Sequence, residues 1–138
     1  MTLSKVTIGK LAQKAGVNIE TIRFYERKSL MPKPVRKPSG FRLYSDADLK
    51  RLNFILMAKR HGFTLTEIKD LLELRVNPQS TCEEIRIKAN EKIRVIEKKL
   101  LELKRMKKAL QTLAASCYGA NPIDECPILE AFDREQTK

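Results

Sequence analysis

From Thr81 to Ser116 the chain runs for 36 residues without one Gly or Pro, and it is dense in Lys, Glu and Leu. That composition predicts a single helix about 54 Å long at 1.5 Å per residue. Such a helix outruns the core of any small domain, so it must lie against a partner. Its apolar residues recur in steps of three and four: Ile85, Ala89, Ile93, Ile96, Leu100, Leu103, Met106, Leu110 and Ala114. This spacing makes a coiled-coil seam.

The ends of this helix carry thiols. Cys82 opens it and Cys117 follows it, 35 residues or five heptads apart, so both fall on one stripe. Along one straight helix they would be about 52 Å apart and could not meet. A parallel pair would set Cys82 against its own copy. An antiparallel pair, with residue i facing 199 − i, sets Cys82 against Cys117 of the other chain. It also sets Ile85 against Ala114, Ala89 against Leu110, Ile93 against Met106, and Ile96 against Leu103; Leu100 facing Lys99 departs from this pattern.

Beyond Cys117 the stretch CYGANPIDEC contains Gly119 and Pro122, so the chain can fold back and bring Cys126 to the same place. Two sites per dimer are expected, each with Cys117 and Cys126 of one chain and Cys82 of the other. The only histidine, His61, lies in the other half of the chain and is expected to be structural. Zinc prefers four ligands. Three sulfurs suit a softer ion: Hg(II), Cd(II), Pb(II), As(III) or Cu(I). Inert buried thiols and a Cys117–Cys126 redox pair are the alternatives.

The first half reads differently. Residues 1–80 hold 16 Lys and Arg against 7 Asp and Glu, whereas 81–138 hold 12 against 10. An anionic partner therefore belongs to the first half. Thr7 and Asn18 are candidate caps for two short helices joined at Gly16, the second running from Ile19 to about Arg27. This is a helix-turn-helix pattern; an ordinary helical corner is the plainer reading. Prolines 32, 34 and 38 exclude helix from the next stretch. Ser39-Gly40 can turn a small wing, with Phe41 and Leu43 alternating against outward Arg42 and Tyr44. Ser45 caps a third helix that Gly62 ends. Thr64 and Glu67 form a capping box for a fourth, through Leu74. Asn77-Pro78 is a hinge candidate. One or two helical turns are expected around Ile128, Leu129 and Phe132.

No apolar leader opens the chain, and its longest apolar run, Phe54 to Ala58, is too short to span a bilayer. The expected setting is soluble and cytoplasmic, with no membrane partner and reduced thiols. No nucleophile–base pair, acidic dyad or phosphate loop is present, so the chain is not expected to be an enzyme.

Thr7-Ile-Gly, Ala15-Gly-Val, Glu20-Thr-Ile-Arg-Phe-Tyr-Glu26 and Gly40-Phe-Arg-Leu-Tyr-Ser-Asp-Ala-Asp48 resemble the MerR family of winged helix-turn-helix regulators. The likeness covers nearly the whole chain, and Cys82, Cys117 and Cys126 resemble the thiols of its mercury-responsive members. Copper(I) sensors of the family lack the first cysteine, and the tail here has no further Cys or His. The resemblance implies a mostly α fold. Residues 1–78 would be the winged helix-turn-helix domain, 79–117 the antiparallel coiled-coil dimerisation helix, and 118–138 the metal-binding loop and a short helix. It implies a homodimer on a palindromic operator in the overlong spacer of a mercury resistance promoter. That dimer represses without metal and activates with Hg(II), one ion per three-thiolate site, by distorting DNA for RNA polymerase. Asn18, Thr21, Arg23 and Tyr25 would face the major groove and its phosphates, with Arg42, Tyr44 and Arg60 on the backbone.

Overall fold

A computed structural model describes residues 5–33 and 43–134. Among the described residues six α-helices follow one another: α1 Ile8–Ala15, α2 Ile19–Arg27, α3 Asp46–Arg60, α4 Leu65–Val76, α5 Cys82–Ala115 and α6 Pro127–Arg134. A short 3₁₀ turn, Ile123–Glu125, precedes α6. The chain divides into two compact units, Met1–Lys88 and Ala89–Lys138.

In the first unit the helix ends are set by local chemistry. Thr7 and Asn18 accept from the backbone N–H of Lys10 and Thr21, and Ser45 and Thr64 form reciprocal capping boxes with Asp48 and Glu67. Each cap satisfies donors that the first helical turn leaves unpaired. Gly16 ends α1 with φ of +74°, a conformation that costs a side-chain-bearing residue but not Gly. Val17 N–H then closes on the Ala12 carbonyl at 3.0 Å, and α2 starts two residues later.

These ends aim the apolar faces inward. Leu11, Ile22, Leu30, Met31, Tyr44, Leu52, Ile55 and Ile68 are fully buried in one core. α1 packs on both α2 and α3, and α3 packs on α4. Each such Leu, Ile or Met side chain stabilises by about 1.5–3 kcal/mol relative to exposure. Among the described residues there is no strand. One antiparallel bridge joins Val6 to Tyr44, with N–H to carbonyl distances of 2.9 and 2.8 Å.

The second unit has no such core. α5 runs unbroken for 34 residues, and its seam stays exposed: Leu100 at 53%, Leu103 at 58% and Leu110 at 53%. A helix with an uncovered apolar stripe of this length calls for a partner surface. Pro127 starts α6 at the position where a missing N–H costs nothing. The Cys126 carbonyl accepts the Glu130 N–H at 3.0 Å. No helix among the described residues is long and apolar enough to cross a membrane.

Candidate nucleic-acid interface and metal centre

The second helix of the helix-turn-helix, α2, carries the residues expected at DNA. Asn18 is exposed, but its Oδ1 is engaged as the cap, accepting from Thr21 N–H at 2.8 Å and Thr21 O–H at 2.9 Å. Arg23 is exposed and pairs with Glu20 at 3.2 Å, one turn back. A pair this open to water contributes little to stability, so the guanidinium can exchange a carboxylate for a phosphate at low cost. Arg60 ends α3 and is exposed. Arg42 and the Ser39-Gly40 turn lie outside the described residues.

Two expectations are corrected. Tyr25 was expected towards the groove and Tyr44 on the outer face of the wing. Tyr25 is buried, and burial pushes its phenol above the ordinary tyrosine range. Tyr44 is completely buried, and its O–H donates to Glu26 Oε2 at 2.6 Å. Both rings fill the core, where an aromatic body contributes by burial, and the Tyr44 hydroxyl has Glu26 as its partner. Neither side chain presents a surface to DNA.

Other residues hold this frame without having been singled out by sequence. Glu26 is buried in the last turn of α2. Arg51, half-buried on α3, donates its Nε–H to the Leu30 carbonyl at 2.5 Å. The Leu30 and Met31 N–H groups both reach the Tyr25 carbonyl. An unpaired buried carboxylate is costly, but Arg27 beside it made Glu26 read as an ordinary surface charge, so nothing in the sequence signalled its burial. His61 is the C-terminal cap of α3, exposed, with Nδ1 2.9 Å from the Met57 carbonyl.

All three thiols are free, and each lies at a helix end. Cys82 is the first residue of α5, Cys117 lies just past its last, and Cys126 immediately precedes α6. Cys82 and Cys117 are exposed and Cys126 is half-buried. The Gly119 N–H donates to Cys117 Sγ at 3.3 Å, and the Cys126 N–H closes the 3₁₀ turn on the Ile123 carbonyl at 3.2 Å. Within one chain the described residues gather no group of three His, Cys, Asp or Glu side chains able to hold a metal. An unbroken helix separates Cys82 from the other two.

Comparison with known proteins places this geometry. The MerR HTH regulatory-protein model matches residues 6–74, and a second model, the MerR DNA-binding region, matches 49–113. The chain is 41% identical over 129 residues to the HTH-type transcriptional regulator ZntR of Escherichia coli K12, covering 92% of each chain. It is 42% identical over 128 residues to a mercuric resistance operon regulatory protein of Bacillus cereus, covering 93% of this chain and 97% of the relative. The crystal structure of the transcription regulator PbrR691 from Ralstonia metallidurans CH34 in complex with lead(II) superposes with a TM-score of 0.80. It is 37% identical, and the match covers 92% of this chain and 98% of that one. With these two family models and relatives about 40% identical over nearly the whole chain, this chain belongs to the MerR family of helix-turn-helix transcriptional regulators.

Proposed function

We propose that the chain is a mercury(II)-responsive regulator that binds promoter DNA as a homodimer. Metal-free protein represses and Hg(II)-loaded protein activates RNA polymerase at a mercury resistance promoter. Residues 1–78 bind DNA, 79–117 pair antiparallel with a second copy, and 118–138 close the metal site. Asn18, Thr21, Arg23, Arg42 and Arg60 supply the DNA contacts.

The observation that carries this reading is the placement of thiols at both ends of α5, whose apolar stripe lies open between them. Two copies packed head to tail along that stripe would bring Cys82 of one beside Cys117 and Cys126 of the other. Three thiolates match a soft ion better than a hard one. Three thiolates around a divalent ion carry one net negative charge, and the N-terminal end of α5 at Cys82 favours negative charge. A ligand bridging two subunits shifts a two-state dimer only by its differential affinity for the two states. A thiolate set split across the interface makes that difference large.

Mixed dimers test it. Neither Cys82→Ala nor Cys117→Ala/Cys126→Ala protein should bind Hg(II) tightly alone. Their heterodimer should regain one site, and failure to do so sinks the shared site. The lead(II) complex of PbrR691 supports a second reading, a lead sensor. Titration against excess small thiol separates the two: the mercury reading requires that Hg(II) stay bound where Pb(II) and Cd(II) are stripped.

A further inference from the structure

We propose that Ser80 is a positioning residue for the metal centre: with Glu83 it forms a capping box that closes around Cys82 when the ion binds. The inference rests on the metal-sensing reading above and concerns two side chains that bind no metal.

Among the described residues, Ser80 Oγ is a buried side-chain oxygen without a hydrogen-bond partner. A hydroxyl in that condition destabilises the fold, so its presence calls for a second arrangement in which it is used. The surrounding residues supply one. Ser80-Thr-Cys-Glu83 has the spacing of a capping box, a serine followed three residues later by a glutamate. Boxes of this spacing are closed at Ser45 with Asp48 and at Thr64 with Glu67. This one stands open. The Ser80 N–H donates to the Asn77 carbonyl at 3.0 Å, closing a turn over Pro78, and the Asn77 side chain accepts the Gln79 N–H at 2.9 Å. Glu83 points forward and accepts from Arg86 at 2.9 and 2.8 Å. α5 therefore begins at Cys82, with the Glu84 N–H on the Thr81 carbonyl at 3.1 Å.

Closing the box is an exchange of partners. Ser80 Oγ accepts the Glu83 N–H, the Glu83 carboxylate takes the Ser80 N–H from Asn77, and the Glu84 N–H moves back to the Ser80 carbonyl. The helix then starts at Thr81, and Cys82 becomes its second residue. Little is given up. The pair with Arg86 is open to water, and Asn77 is exposed, so its carbonyl returns to solvent. The gain is a fixed backbone at Cys82. A thiolate on a fixed backbone surrenders less freedom on ligation, so the ion binds the closed box more tightly and draws the equilibrium towards it. The same exchange releases the turn over Pro78, which joins α4 to the thiol-bearing end of α5.

The test uses full-length protein and Hg(II) in competition with a small thiol. Ser80→Ala should lower Hg(II) affinity about tenfold, the scale of losing a group that orients a metal ligand. The urea midpoint of the metal-free protein should stay level or rise, whereas loss of a residue needed only for folding would lower it. Glu83→Ala should match Ser80→Ala, and the double variant should lose no more than either alone, because both remove one box. Glu83→Gln keeps the acceptor without the charge and should stay within about threefold of wild type. The Glu83 amide should gain protection from hydrogen exchange when Hg(II) binds wild-type protein, and gain none in Ser80→Ala. Unchanged affinity in Ser80→Ala overturns the proposal. So do additive losses, a Glu83→Gln loss equal to that of Glu83→Ala, or a Glu83 amide indifferent to the ion. If Ser80→Ala does not fold, the two Glu83 variants, altered at an exposed side chain, decide by the same comparison. If wild-type protein does not hold Hg(II) against the thiol, the mercury reading fails, and this proposal with it.

Discussion

The Gly119 amide donates to Cys117 Sγ at 3.3 Å, and Gly119 reaches it with φ of +84°. The loop between two of the thiols thus depends on a left-handed residue. A Cβ added there would meet nothing within 4 Å, so the objection to a side chain is conformational and not steric crowding. Gly119→Ala should cost about 1 kcal/mol of loop conformation. Hg(II) affinity, read by competition with a small thiol, should fall about fivefold while the first unit melts unchanged. Equal affinity in the variant would show that this turn is not the metal-binding conformation.

The core makes a sharper demand. Ile22 is fully buried at the middle of α2, whereas Met57 on α3 is half exposed. Ile22→Ala removes methyl groups and leaves a cavity, for an expected loss of about 2–5 kcal/mol. Met57→Ala should stay within about 0.5 kcal/mol of wild type. Urea unfolding of the first unit distinguishes them, and similar midpoints for the two would contradict the core described here.

What could be read from sequence follows from which interactions are local. Thr7, Asn18, Ser45 and Thr64 announce their helices because each cap acts within three residues. α5 was readable because absence of Gly and Pro is itself a signal. The helix-turn-helix and the placement of all three thiols at helix ends came from the same local rules. Tyr44 was misassigned because strict alternation with Leu43 turned it outward. Its true environment is made by Val6 and Glu26, 38 and 18 residues away. Tyr25 was misassigned because a tyrosine on a recognition helix can serve either groove or core, and only tertiary packing decides. Arg51 was missed for the same reason, as its acceptor is a backbone carbonyl 21 residues distant. The proposed meeting of Cys82 with the other thiols would need a second chain, so neither one chain's pattern nor its fold could supply it.

Tyr25 gives a pH signature. Burial raises its phenol above the ordinary value of 10.0. Below that value both folded and unfolded forms keep the proton, and the stability contribution is fully present. As pH rises past it the unfolded chain loses the proton first, so stability falls until the folded phenol also ionises. The folded protein should lose stability progressively above pH 10, and Tyr25→Phe should remove that component of the slope. Denaturant midpoints through the alkaline range, with tyrosinate absorbance in parallel, measure it. An unaltered slope in the variant would refute burial as its cause.

The exposed seam of α5 yields the most consequential prediction. Leu103 is mostly exposed in the single chain, so a polar replacement there removes little from the folded monomer. If that stripe is the dimer seam, Leu103→Asp places two carboxylates, one per chain, in an apolar interface. Burying an unpaired charge costs several kcal/mol. Sedimentation at micromolar concentration should show the mass halved, the first unit should unfold as before, and Hg(II) affinity should fall with dimerisation. Arg94→Asp is the control. Nine residues beyond Ile85, at 100° per residue, Arg94 sits on the opposite side of the helix. It changes charge more than the test substitution does, yet should leave the dimer intact. A dimeric Leu103→Asp protein would mean that the stripe is not where two copies meet, and the cross-subunit thiol site would lose its geometric basis.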